Sequence, residues 1–273
     1  MKNFWRLLLG IIFASVVWNV DSAMRRTRLH RANAIYNLAQ WSEQQMAIGL
    51  TITPEYQRQY PLHAAIMQDK DGEVSELTKN RDLINVKDPV GDTPLHAAAK
   101  QNKPIIMQKL ISAGAVVDAK RNGYLTPLVD AINANCIECA KILLEAGANP
   151  DNSMDNRSTP SLLHWLVQRS PVNTSDDDKK IIRLLLSYGA NPEIKDLLDK
   201  TVIDIARYWK NDALVALLEN AVLRRELAKR KVVTLAIAWG LVAPKTVINE
   251  QLFEQLIQQH PMLRGTYLSM LGE

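Results

Sequence analysis

The chain has 273 residues, of which 47% are hydrophobic and 23% are charged. This balance excludes a chain that is disordered throughout, because enough apolar side chains are present to form a core. The formal net charge is +4, and much of the excess lies in two basic runs, MRRTRLHR at 24–31 and RRELAKRK at 224–231. Such runs can bind phosphates or anionic lipid, or can be solvated helix faces. Neither carries interleaved aromatic residues, so we expect no nucleic-acid partner.

The N-terminal segment 1–23 is predicted to contact a membrane. Its apolar run at 7–20 is fourteen residues long and fits the core of a signal peptide better than a full membrane span of about 20 residues. The best cleavage site follows Ala23, but Asp21 stands where a small residue is preferred, so an uncleaved anchor stays open. A strongly basic flank after the run argues weakly against export. We expect a protein that is periplasmic or anchored at the bacterial inner membrane.

Residues 24–58 are predicted to form a helical lead-in, and a repeated phrase begins directly after it. The phrase PLHAA at 61–65 returns at 94–98, and the phrase TPL at 93–95 returns at 126–128, in each case 33 residues later. A fixed period in this range predicts a solenoid of stacked units in place of one closed domain.

The spacing inside each unit has a physical explanation. Thr93 can cap the helix that follows, and Pro94 suits the first helical position because its missing N–H would have no partner there. Small alanines let this first helix lie close to its neighbours, and a second helix carries an apolar stripe. Gly114, Gly147 and Gly189 are predicted to end the second helices in left-handed turns. Each unit then leaves an apolar face that only the next unit can bury.

The phrase T-P-L-H-x-A resembles the signature of the ankyrin repeat family. The resemblance implies an all-α fold, an ankyrin-type helical solenoid with short hairpin connections. About five repeats are expected, at 59–90, 91–122, 123–156, 157–199 and 200–221. The first lacks the terminal glycine and the fifth lacks the proline and the histidine, as the outer units of a capped stack do. Residues 222–273 are predicted to form a helical C-terminal cap, in which 232–243 packs against the last repeat or contacts a membrane.

The histidines and cysteines are predicted to be structural. His63, His96 and His164 hold the fourth signature position, where the resemblance implies that the imidazole bonds to the backbone of a neighbouring loop. They lie in successive layers, which does not suit a catalytic or metal site. Cys136 and Cys139 form a CxxC, but Cys139 is expected to pack into the core, so a structural role is favoured over redox chemistry or a zinc site. Two cysteines alone predict no disulfide framework.

The fourth repeat carries an insertion, SPVNTSDDD at 170–178, between its two helices. Its three acidic residues suit the positive end of the helix that follows better than they suit a cation site. Long loops on a rigid stack often carry recognition, but an idle insertion that the stack tolerates explains this one equally well.

The resemblance implies a protein-binding module whose partner lies on the concave face formed by first helices and hairpin tips. No catalytic motif appears, so we expect a non-enzymatic protein without cofactor or metal. Candidate contacts are side chains on that face that the fold does not need, together with the acidic insertion: Asp92, Lys100, Gln101, Tyr124, Asp130, Asn133, Arg157, Trp165, Gln168, Asp176, Asp177 and Asp178. Three versions stay open: a periplasmic inhibitor or immunity protein that occludes a toxin or enzyme, a membrane-associated scaffold, and a host-directed effector.

Overall fold

The fold is that of a computed structural model, which describes residues 52–153, 160–169, 174–243, 246 and 248–272. The chain divides into two units, Met1–Thr53 and Pro54–Glu273. The predicted membrane segment 1–23 and the lead-in up to residue 51 lie outside the described residues. All the helices described belong to the second unit.

Thirteen α-helices and no β-strand occur in the described residues. In chain order they are α1 (Pro54–Gln59), α2 (Pro61–Met67), α3 (Asp71–Leu77), α4 (Pro94–Lys100), α5 (Pro104–Ser112), α6 (Pro127–Asn133), α7 (Ile137–Glu145), α8 (Leu162–Arg169), α9 (Asp176–Ser187), α10 (Val202–Tyr208), α11 (Asp212–Ala238), α12 (Glu250–Gln259) and α13 (Pro261–Gly272).

The helices pair into five repeats, α2 with α3, α4 with α5, α6 with α7, α8 with α9 and α10 with α11. First helices pack on one another along the series α2, α4 and α6, and second helices along the series α3, α5, α7 and α9. The same positions supply the core of successive repeats, because Leu62, Leu95 and Leu128 follow one another by 33 residues and are all fully buried. The predicted all-α solenoid is confirmed.

Left-handed residues end both helices of a repeat. The predicted glycines do so after the second helices, with φ of 97° at Gly114, 91° at Gly147 and 94° at Gly189. The first helices end the same way without glycine, at Asp69, Asn102 and Asn135, whose φ values are 56°, 54° and 54°. Asp and Asn adopt this conformation more readily than other L-residues because their short polar side chains bond locally. These three positions again repeat every 33 residues.

Helix α11 has 27 residues, whereas the second helices α5 and α7 have nine each. It begins as the second helix of the fifth repeat and continues through the predicted domain boundary between residues 221 and 222, which therefore falls inside a helix. The physical reason is that no glycine or proline interrupts the sequence until Gly240, which follows the C-cap with a φ of 72°.

The C-terminal half of α11 forms a second apolar core with α12 and α13. Val232 and Ala236 are fully buried there against Phe253, Leu256 and Tyr267. Helix α13 also packs on α9 of the fourth repeat. The expected C-terminal helices thus cover the end of the stack. None of the helices in the described ranges combines the length and the apolar character needed to cross a bilayer.

Candidate partner-binding face

Three buried histidines attach the first helices of the first, second and fourth repeats to the hairpin of the next repeat. Each Nε2 donates to a backbone carbonyl of that hairpin, at 2.9 Å for His63 to Asp92, 3.2 Å for His96 to Leu125 and 3.4 Å for His164 to Lys200. The implied bonding of these imidazoles to neighbouring loops is confirmed.

His96 is held as a neutral imidazole. Its Nδ1 accepts from the backbone N–H of Thr93 at 3.2 Å and from the Thr93 hydroxyl at 2.8 Å. A protonated ring has no acceptor, and burial lowers the pKa of His96 to about 4. Burial also lowers the pKa of His63 and of His164. All three rings are therefore uncharged structural groups at neutral pH.

Arg121, in the hairpin of the third repeat, joins two of the predicted contact residues. Its Nε lies 3.0 Å from Asp92 Oδ1, and its Nη2 donates to Asp130 Oδ1 at 3.0 Å. Lys100 Nζ donates to the other oxygen of Asp92 at 2.5 Å. Only 6% of Asp92, 4% of Arg121 and 3% of Asp130 is exposed. The interpretation that the fold does not need Asp92 and Asp130 is corrected, because they neutralise a buried guanidinium between two repeats.

Trp165 and Asp178 need the same correction, since both are buried. The guanidinium carbon of Arg169 lies 4.5 Å from the centroid of the Trp165 ring, and Arg169 also forms an ion pair with Asp178. Ser175 caps α9 by accepting from the backbone N–H of Asp178 at 3.0 Å. The acidic residues at 176–178 therefore form the first turn of α9, as their affinity for a helix N-terminus predicted.

The other predicted contacts differ in accessibility. Asp176 and Asp177 are accessible and pair with Lys179 and Lys180 at 3.3 and 3.1 Å, and surface pairs of this kind stabilise little. Gln101 is exposed, whereas Tyr124, Asn133 and Gln168 are half-buried. Arg157 lies outside the described residues. Across the described residues, no group of three or more His, Cys, Asp or Glu side chains could hold a metal ion. Contact of any of these residues with a partner stays a prediction.

One accessible side chain per repeat stands four residues after the fourth signature position. We call these five residues the inner ridge: Met67, Lys100, Asn133, Gln168 and Tyr208. The first four are half-buried, whereas Tyr208 is 70% exposed. The inner ridge therefore ends in an aromatic side chain that the fold leaves uncovered.

Residues 62–154 match a family model described as ankyrin repeats (3 copies). Residues 62–154 therefore consist of ankyrin repeats. The match covers the first three repeats, including the whole Arg121 network, and the fourth and fifth repeats continue the same helix pairing. Ankyrin repeats serve protein–protein interaction and generally carry no catalysis. Among curated proteins, none matches the chain.

The fifth repeat carries exposed apolar side chains that sequence reasoning missed. The ring of Tyr208 contacts that of Trp209 edge to face, with centroids 5.2 Å apart and an interplanar angle of 83°. Leu197 and Leu198, in the hairpin of this repeat, are 79% and 69% exposed. Tyr208 stands four residues after the fourth signature position, as Gln168 does in the fourth repeat. This count could have identified Tyr208, although the fifth repeat lacks the proline and histidine of the signature. Large exposed aromatic and aliphatic side chains are typical of interaction surfaces.

The two cysteines of the array are buried and joined to each other by a disulfide. Cys136 is the N-cap of α7, and Cys139 is fully buried in the following turn, so the predicted core packing is confirmed. Sequence reasoning did not predict their bond. It closes one helical turn and links no separate elements, so it is not a framework that supports the fold.

Proposed function

We propose that this ankyrin array binds a protein partner through the C-terminal end of the inner ridge and the hairpin of the fifth repeat. The exposed ring of Tyr208 carries the proposal. At the equivalent position the other repeats have methionine, lysine or an amide, all at least half-covered. Leu197 and Leu198 are further exposed apolar side chains of the same repeat. Tyrosine is favoured as a binding anchor because its large rigid ring buries much area at small entropic cost.

A photo-cross-linking amino acid at position 208 tests this proposal in the native organism. The matched control carries the same amino acid at Ile105 in α5, a second helix, where the side chain is 65% exposed. We expect a discrete cross-linked product from position 208. The Tyr208→Ala, Leu197→Ser double variant, added as a competitor, should not reduce the yield of this product. Products of the same size and yield from positions 208 and 105 would contradict the proposal.

We further propose that the protein works in an oxidising compartment such as the bacterial periplasm, exported or anchored through segment 1–23. The Cys136–Cys139 disulfide supports this proposal, because cytosolic thiols are normally kept reduced. In that compartment, a binding surface without catalytic groups suits an inhibitor or immunity protein that occludes a toxin or enzyme. A membrane-associated scaffold is the alternative, and a host-directed effector fits the apolar leader less well.

The redox state of the two cysteines tests the compartment. Cells are quenched in acid, and the denatured protein is treated with a thiol reagent that adds mass. We expect no added mass on the protein from cells and two additions after deliberate reduction. Two additions without reduction would place the protein in a reducing compartment.

A further inference from the structure

The basic run at 224–231 is divided between two faces of α11. Arg225 and Lys229 point toward the C-terminal cap and share one carboxylate. Arg225 Nη2 donates to Glu250 Oε1 at 2.5 Å, and Lys229 Nζ donates to Glu250 Oε2 at 2.6 Å. Arg225 also donates to the carbonyl of Gly189 at 3.1 Å. These two cations therefore hold the cap on the stack.

The other three cations of the run, Arg224, Arg230 and Lys231, are exposed. Within the part of the chain that the structure describes, none of the three forms an ion pair. The nearby acidic residues of α11 do not neutralise them, because Glu219 pairs with Arg207 at 2.5 Å and Glu226 pairs with Lys229 at 3.2 Å. This face of the helix thus carries three uncompensated positive charges.

Two leucines lie among these charges. Leu223 and Leu227 are both 63% exposed, and their spacing of four residues places them one above the other on one helix face. Arg230 and Lys231 follow Leu227 by three and four residues, so they flank the leucines on either side. Together with Arg224, these residues form a surface that we call the outer face: Leu223, Arg224, Leu227, Arg230 and Lys231.

We propose that the outer face docks on an anionic lipid bilayer, with α11 lying in the plane of the membrane surface. A bilayer offers acidic headgroups to the cations and hydrocarbon to the leucines in one plane. A single-stranded nucleic acid offers the negative charge, but it is bound largely by stacking of its bases on aromatic side chains, which the outer face lacks. This surface is distinct from the inner ridge, so the proposal does not depend on partner binding there.

The size of the electrostatic contribution follows from the number of charges. Each cation near an anionic surface contributes about 1 kcal/mol, which is about fivefold in affinity. Removing all three should weaken binding about a hundredfold. Removing the leucines should abolish the penetration of the face while leaving a weak, salt-sensitive attraction.

The experiment uses the full chain and measures whether α11 itself enters the lipid environment. Thr234 is exposed and follows Leu227 by seven residues, so it lies on the same helix face. A Thr234→Cys variant is labelled with a solvatochromic dye, and both native cysteines are already joined and buried. The control label is at Lys79→Cys in the first repeat, where the native side chain is 70% exposed. Vesicles contain phosphatidylcholine alone or with one quarter phosphatidylglycerol.

We expect a blue shift of the label at position 234 with phosphatidylglycerol vesicles only, and no shift at position 79. The triple variant Arg224→Gln, Arg230→Gln, Lys231→Gln should need about a hundredfold more lipid. A matched triple variant, Lys141→Gln, Lys180→Gln, Lys195→Gln, removes the same charge from other surface positions and should bind as the native chain does. Circular dichroism confirms that each variant is folded.

Three outcomes would overturn the proposal. First, the label at position 234 can stay in water when anionic vesicles are present. The same result is expected if the protein binds the vesicles through segment 1–23 alone. The two triple variants can weaken binding equally, which would indicate a general charge effect. Single-stranded RNA or polyglutamate can shield the label from an aqueous quencher at lower concentration than lipid does, which would assign the face to a polyanion.

Discussion

The neutral state of His96 predicts a specific loss of stability in mild acid. In the folded protein, burial lowers the pKa of His96 to about 4 from its ordinary value of 6.5. The unfolded chain therefore takes up a proton as the pH falls through 6.5, while the folded ring does not until the pH approaches 4. The stability linked to this group is complete at pH 7.5 and is lost progressively below pH 6.5.

The size of the loss follows from these two values. At pH 5.0 the unfolded state gains about 2 kcal/mol from protonation that the folded state does not share. Protonation of the folded ring would also remove the acceptor at Nδ1 that holds both groups of Thr93. His63 and His164 shift in the same direction because they too are buried, so the whole array should lose more than His96 alone contributes.

Urea unfolding at pH 7.5 and pH 5.0, followed by circular dichroism, measures the effect in the native chain and in His96→Gln. Glutamine suits this position because its carbonyl can accept from the N-cap N–H of Thr93 without titrating. We expect His96→Gln to be less stable at pH 7.5 but to lose about 2 kcal/mol less between the two pH values. The carboxylates titrate alike in both proteins, so their contribution cancels when the two losses of stability are compared. Equal losses in the two proteins would refute the reasoning.

Further predictions concern the core, the buried charges and the insertion. Leu95→Asp or Leu143→Asp should unfold the stack, since each puts a carboxylate at a fully buried position and costs several kcal/mol, and an unchanged melting temperature would contradict the repeat register. Arg121→Met should destabilise the stack by about 3–5 kcal/mol, because the buried Asp130 loses its ion pair and Asp92 keeps only Lys100, and adding Asp92→Asn and Asp130→Asn should restore much of this in thermal melts. Shortening the insertion within 170–173, which spares the buried Thr174 and the cap residue Ser175, should leave melting almost unchanged because loop closure depends weakly on length. Partner affinity should then fall if the insertion contacts a basic surface, and unchanged affinity across salt concentrations would show that it is idle.

The sequence predicted the elements that repeat locally. Thr93, Pro94 and Gly114 each fix a backbone conformation by their own chemistry, so the helix starts and ends could be read without tertiary information. The role of His96 followed from the family resemblance, and its carbonyl partner confirmed it. The length of α11 could also have been predicted, because the fifth repeat has no glycine at the position where Gly114, Gly147 and Gly189 end the earlier second helices. The repeat period was used instead to place the domain boundary after residue 221.

The candidate site was less predictable because burial of a charge depends on pairs distant in sequence. Asp92 looked dispensable, and only its pairing with Arg121 in the next hairpin makes it structural. Trp165 was predicted as a partner contact, but it is buried and Arg169 covers its ring. Tyr208 was missed because the fifth repeat lacks the signature that sets the register. The exposure of its side chain depends on the next unit of the stack, and the described helices form no sixth repeat that would cover it.

The two proposed surfaces are joined by a rigid connection. Tyr208 ends α10, and its neighbour Arg207 pairs with Glu219 of α11 at 2.5 Å. Asn211 caps α11 by accepting from the N–H of Leu214 at 3.2 Å and donates to Thr174 of the fourth repeat at 2.9 Å. From there α11 runs for about 40 Å without a break. If the outer face lies on a bilayer, the inner ridge is therefore held at a fixed position relative to the membrane, and a partner bound at Tyr208 is presented at constant height. Partner binding should consequently leave the depth of the label at position 234 unchanged.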